Sequence, residues 1–195
     1  MPARAAGITT SIGYNYRHVP AVERVRELIA DGRLGRVTNV RAVFFNSYAA
    51  EPNGALSWRF RREQAGSGAL GDLLSHVVDL MQYVVAPITE VSSLMSTVYA
   101  QRPILPMGAA THFAVIEDGE MGDVENDDYV AALVRFGAAG AVGTLEASRV
   151  SVGPQCALGI EIYGTDGSAI RNFEQMNELR LCLGRARPGT APGIR

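Results

Sequence analysis

Three side chains in one stretch, Asp72, His76 and Asp79, have the types and spacing for acid–base chemistry. On a helix, Asp72 and His76 are four residues apart and neighbours on one face. Asp79 follows three residues later on the same face. A carboxylate beside an imidazole fixes its tautomer and orients it as a base. The plainer alternative is an amphipathic helix with a solvated polar face. Such a face is usually rich in Glu, Lys and Arg, and this one has none. Gly66, Gly68 and Gly71 lie just before it and allow a close backbone approach to a ligand. Asp72 and Asp79 also suit the paired acids of glycoside hydrolysis. A metal site from the same trio is disfavoured, because all three come from one helix with no ligand evident on a second element.

The elements that must position these groups follow from periodicity. The helix spans roughly 69–85, with Leu73, Leu74, Val77, Val78, Leu80, Met81, Val84 and Val85 in one apolar arc. An earlier helix covers 19–31, opened by Pro20 and closed at Asp31-Gly32. A short strand is expected over 8–16, and another over 36–48, buried on both faces at Val43–Phe45. Residues 49–67 read as loop, 89–100 as strand, and 101–126 as a long irregular stretch. Strands are expected over 127–136 and 140–149, joined by a hairpin at Gly137-Ala138-Ala139-Gly140. Further strands cover 157–164, 168–174 and 179–183, with Asp166-Gly167 as a two-residue turn. The sum is α+β: an open, mostly antiparallel sheet with helices on one face.

Composition removes several function classes. The 195 residues carry a net charge of −2, and all 18 Lys-or-Arg positions are Arg. There is no basic tract for nucleic acid. Without Lys, the chain supplies no Schiff base, no Lys general base and no phosphate-loop Lys. Cys156 and Cys182 lie far apart and read as reduced core thiols, and no zinc-ligand spacing appears. No apolar run is long enough to cross a membrane. With no signal-peptide core at the N-terminus, a soluble cytoplasmic protein is expected.

Gly13–Val22 (GYNYRHVPAV), Asp31–Val37 (DGRLGRV) and Gly66–Leu80 (GSGALGDLLSHVVDL) resemble the glucose-fructose oxidoreductase/inositol dehydrogenase (Gfo/Idh/MocA) family. Glu161–Ser168 (EIYGTDGS) resembles that family's later hairpin. Gly66–Leu80 is the most specific of these motifs, and the resemblance covers about residues 6–183. It implies the α+β domain that covers a nicotinamide and shapes the site of a sugar, cyclitol or related polyol. Residues 1–17 would be a remnant of the nucleotide domain, including its last strand, and the crossover from it. Residues 18–183 would be the substrate and oligomerisation domain, and 184–195 an irregular tail.

By the same resemblance, His76 takes the hydroxyl proton during hydride transfer, and Asp72 holds substrate hydroxyls and orients His76. Asn15, Tyr16 and Arg17 fall at the domain crossover, near nicotinamide and substrate. Trp58, Arg59 and Asn126 are further candidates for the sugar pocket. The glycine fingerprint of a dinucleotide fold and the family's Lys segment are absent. The chain is therefore expected to be an incomplete member. NAD or NADP would belong to the complete protein, and the chain alone would bind neither and be inactive. The alternative is a non-catalytic ligand-binding module, or a homodimerisation module pairing through the sheet face.

Overall fold

The computed structural model describes residues 2–105, 114–137 and 140–184. The helices are α1 (Pro2–Ala5), α2 (Pro20–Ala30), α3 (Arg62–Ala65) and α4 (Ser75–Val84). The strands are β1 (Val37–Phe45), β2 (Ile88–Ser96), β3 (Gln101–Pro103), β4 (Met121–Asp123), β5 (Tyr129–Phe136), β6 (Val142–Ser148), β7 (Ala157–Gly164), β8 (Gly167–Asn172) and β9 (Arg180–Leu183). Seven strands form one sheet in the order β2-β5-β6-β1-β7-β8-β9. The β1–β6 pair is parallel and the other pairs of that sheet are antiparallel. β3 and β4 form a separate antiparallel pair.

One face of the sheet carries the core. Val40, Ala42 and Phe44 of β1 point into it, beside Val130, Ala132 and Val134 of β5 and Leu158, Ile160 and Ile162 of β7. Val22, Val25 and Leu28 of α2 pack there at helical spacing, as do Val77, Leu80, Met81 and Val84 of α4. The other face is open, with Leu94 and Leu133 exposed. Among the described residues, no helix is long and apolar enough to cross a membrane.

Several elements differ from the sequence expectation. Residues 8–14 form no strand; the chain there is exposed and leads into a 3-10 turn at Asn15–His18. Among the described residues no strand pairs with it, and the Tyr14 and Asn15 amides bond back to Ile12 and Gly13 carbonyls. β1 is not buried on both faces: Val43 and Phe45 are half-buried on the open face, and Phe44 is buried on the other. Inside the expected loop 49–67 lie a 3-10 turn, Trp58–Phe60, and α3. Within 101–126, β3 and β4 pair; residues 106–113 lie outside the described residues, as do Ala138 and Ala139 and the tail 185–195.

The β7–β8 turn holds Thr165-Asp166 rather than Asp166-Gly167, with Tyr163 opposite Ser168. Gly164, the last residue of the first strand, must be glycine because the Leu34 carbonyl passes 2.0 Å from where a Cβ would stand. Gly167 begins the second under similar crowding, 2.5 Å from the Cys182 carbonyl. Two close approaches thus bracket the turn and fix its register.

Candidate active site

The site is built on the entry to α4. Asp127, at the edge of β5, accepts the Gly68 amide (2.9 Å) and the Leu70 amide (2.7 Å) on its two carboxylate oxygens. Its carbonyl accepts the Ala69 amide at 2.9 Å. A Cβ on Gly68 would stand 1.8 Å from that carbonyl. Gly68 therefore serves an approach between two protein segments, whereas the sequence suggested an approach to a ligand. Gly66 closes α3 at φ +76°, a conformation that favours glycine. Of the three glycines, Gly68 and Gly71 line the adjoining cleft.

Leu70–Leu74 forms a π turn that runs directly into α4. Such turns often mark functional sites. This one carries Asp72. Asp72 makes no hydrogen bond to His76. Its carboxylate accepts the Tyr48 hydroxyl at 2.7 Å and lies 3.5 Å from Arg59 Nη1. Burial, then the Asp72 charge, pushes the Tyr48 phenol above its ordinary pKa, so Tyr48 stays a donor.

Arg59 sits in the Trp58–Phe60 turn with its guanidinium 4.7 Å from the Trp58 ring centre and 5.7 Å from that of Tyr48. Its Nε is buried without a hydrogen-bond partner. Trp58 is half exposed, at 49%. These groups, with Ser67 and Gly71, line a cleft of about 250 Å³. The cleft combines an aromatic platform, a carboxylate and a cation with unused donors. That is the chemistry of a neutral, hydroxyl-rich ligand: C–H faces stack on rings, and hydroxyls bond the charged groups.

His76 stands one turn further along, on α4. Tyr14, Tyr16 and Phe44 surround its ring edge-on, with centres 5.4, 5.3 and 6.1 Å away. Its Nδ1 is buried without a hydrogen-bond partner. Tyr16 also meets Phe173 edge-on at 4.9 Å, and burial first, then Cys156, raises the Tyr16 phenol pKa. Those rings shield the imidazole from bulk water on their sides.

The structure does not gather every candidate into this cleft, whose lining includes Trp58, Arg59 and Asp72 but neither His76 nor Tyr16. Asn15 is exposed on the 3-10 turn. Arg17 reaches Asp79 instead: Nε donates at 2.8 Å, and Nη2 bonds the second oxygen. Tyr83 lies beneath that guanidinium at 5.3 Å. The pair ties the Asn15–His18 turn to α4 and engages Asp79, which is thereby not a free partner for Asp72 in hydrolysis. Asn126 is buried, with Nδ2 donating to the Arg59 carbonyl at 2.9 Å and Oδ1 accepting from Arg149 at 2.8 Å. It supports the cleft from behind. Tyr48, Asp127, Asp128 and Arg149 had no place among the sequence candidates. The run Asn126-Asp127-Asp128 was the available signal, and it reads equally as a strand-entry cap.

Among the described residues, no group of three His, Cys, Asp or Glu side chains converges to hold a metal ion. The described residues also do not fit a dinucleotide. Its pyrophosphate needs a glycine turn between a strand and a free helix N-terminus. Here α2 starts after Val19 without such a turn, and α4 continues from the π turn.

The GFO/IDH/MocA C-terminal domain matches residues 22–170. A levoglucosan dehydrogenase of Pseudarthrobacter phenanthrenivorans is 39% identical over 178 residues, which is 90% of this chain and 45% of that protein. A solved levoglucosan dehydrogenase in complex with NADH and L-sorbose superposes with a TM-score of 0.85 at 36% identity, covering 96% of this chain and 47% of that one. An oxidoreductase domain protein of Kribbella flavida gives 0.84 at 40% identity, covering 100% of this chain and 49% of that one. The chain thus spans about half the length of these three relatives. With an α+β sheet that superposes on theirs and a family domain matched over most of its length, the chain belongs to the GFO/IDH/MocA family.

Proposed function

We infer that this chain is the substrate domain of an NAD(P)-dependent oxidoreductase acting on a CH–OH group of a sugar, cyclitol or related polyol. One observation carries the reading: Asp72, held on a π turn by the Tyr48 hydroxyl at 2.7 Å, faces an Arg59 whose Nε lacks a partner, in a cleft floored by glycines. The similarity to a levoglucosan dehydrogenase supports the same substrate class.

In this reading Trp58 stacks on the C–H face of the ring. Asp72 accepts bonds from two neighbouring hydroxyls, and Arg59 donates to a third oxygen. His76 takes the proton of the reacting hydroxyl on an imidazole nitrogen. Tyr14, Tyr16 and Phe44 keep water from that proton. NAD or NADP, held outside the described residues, supplies the hydride-accepting chemistry when bound. The open sheet face, with Leu94 at 81% and Leu133 at 64% exposure, supports pairing with a second copy of the chain.

Calorimetric titration tests the reading. Levoglucosan should bind the chain and bind Asp72→Asn at least about tenfold more weakly, the worth of one charge-assisted hydrogen bond. NAD(H) and NADP(H) should not bind. Equal sugar affinity in the two proteins would remove Asp72 from the site, and micromolar cofactor binding would contradict the division of labour.

A further inference from the structure

The cleft arginine sits on a weak support. Arg59 belongs to a three-residue 3-10 turn closed by two bonds, Phe60 amide to Ser57 carbonyl and Arg61 amide to Trp58 carbonyl, both 3.1 Å. Short 3-10 turns have poor bond geometry and need outside contacts to stay in place. Those contacts come from a buried cation in the sheet. Arg149, just after β6, is 1% exposed, and Asp128, just before β5, is fully buried. Arg149 Nε donates to Asp128 at 2.8 Å, Nη2 to the Asn126 side chain at 2.8 Å, and Nη1 to the Arg59 carbonyl at 3.2 Å. Asn126 Nδ2 donates to that same carbonyl at 2.9 Å.

Asp128 is itself fixed, since its second oxygen accepts the Val98 and Tyr99 amides at 2.8 and 3.1 Å. The Arg149 guanidinium also lies 4.5 Å from the ring centre of Phe60, the residue after Arg59. Its charge reaches the Tyr48 phenol too, opposing the rise that burial imposes there. One buried guanidinium therefore holds the turn that carries Arg59 and bears on the tyrosine that holds Asp72. A planar fork suits this task, because its donors point in fixed directions to three acceptors at once.

We propose that Arg149 and Asn126 are positioning residues that clamp the Arg59 carbonyl and so set where the Arg59 guanidinium stands in the cleft. A burial requirement alone explains the Arg149–Asp128 ion pair. It does not explain why two separate donors converge on one carbonyl of the turn that carries the cleft cation.

The chain contains one tryptophan, Trp58, and the Arg59 guanidinium lies over its ring. Its emission reports Arg59 placement directly. The experiment compares the parent, Asn126→Ala and Arg149→Lys by Trp58 emission, acrylamide quenching and far-UV circular dichroism, with levoglucosan titration alongside. The expected result is unchanged circular dichroism, a shifted emission maximum with easier quenching in both variants, and levoglucosan affinity weakened about tenfold. Should Arg149→Lys not fold, Asn126→Ala, which leaves the Arg149–Asp128 pair intact, decides. Folded variants that melt earlier but keep parental emission and quenching would show a merely structural network and overturn the clamp. The titration arm rests on the sugar-site reading. If the parent itself binds no levoglucosan, that reading fails, while the emission arm still decides the clamp.

Discussion

Replacing Gly68 by alanine should unhinge the entry to α4, and the size of the effect follows from the local geometry. The new Cβ would stand 1.8 Å from the Asp127 carbonyl oxygen and 2.8 Å from its carbon. Ordinary carbon–oxygen contact is about 3.3 Å, so the two segments must part by about 1.5 Å. Three bonds between them, now 2.7–2.9 Å, would then exceed hydrogen-bond length. The amide–carbonyl bond contributes about 1 kcal/mol and each of the two carboxylate bonds about 1.5 kcal/mol. Alanine offsets about 0.5–1 kcal/mol of that by restricting the unfolded chain. The expected net loss is about 3 kcal/mol. With a urea dependence of about 2 kcal/mol per molar, the midpoint should fall by about 1.5 M. Urea unfolding followed by circular dichroism reads it. Asp127→Asn, which keeps the shape but loses the charge, should fall between parent and Gly68→Ala. A Gly68→Ala midpoint within about 0.3 M of the parent would refute the claim that Asp127 pins this helix entry.

Three other outcomes follow from the same structure. In an active complete protein, His76→Ala should lower turnover by about 10²–10⁴-fold, the range of a general acid–base group, and unchanged steady-state rates would take His76 out of the mechanism. In an alkaline titration read by phenolate absorbance, Tyr48 should ionise well above the ordinary tyrosine value of 10.0, because burial and then Asp72 disfavour its anion. Its raised pKa contributes stability that is whole below pH 10.0 and is lost as pH rises toward the folded value, a slope that Tyr48→Phe should flatten. Light scattering should find the chain as a dimer or larger, and introducing a charge by Leu133→Glu on the open sheet face should shift it toward monomer; a parent that is already a clean monomer would contradict pairing through that face.

Much of the framework was legible because it follows from short-range pattern. Val22, Val25 and Leu28 announce α2 by spacing alone, and alternation at Leu158, Ile160 and Ile162 announces β7. The π turn was not legible, since nothing in Leu70–Leu74 distinguishes it from an ordinary helical turn. The partners of Asp72, Tyr48 and Arg59 in place of His76, were not legible either. Within the Gly66–Leu80 run, Gly68 answers to Asp127, a residue 59 positions away. Tyr48 and Arg149 are likewise invisible to local pattern. Each gains its role from a partner brought in by sheet topology, Tyr48 from the end of β1 and Arg149 from the end of β6, strands that pair in parallel. The expected strand at 8–16 failed for the complementary reason: a favourable composition forms no strand without a neighbour to bond.

In the proposed function the cleft between Trp58, Arg59 and Asp72 receives a polyol. A crystal structure of this chain grown with levoglucosan tests it most directly. The sugar is expected in that cleft, with hydroxyls bonded to the Asp72 carboxylate and the Arg59 guanidinium, its C–H face on Trp58, and one hydroxyl directed toward His76. Sugar bound elsewhere, with Asp72 still satisfied only by Tyr48 and Arg59, would contradict it.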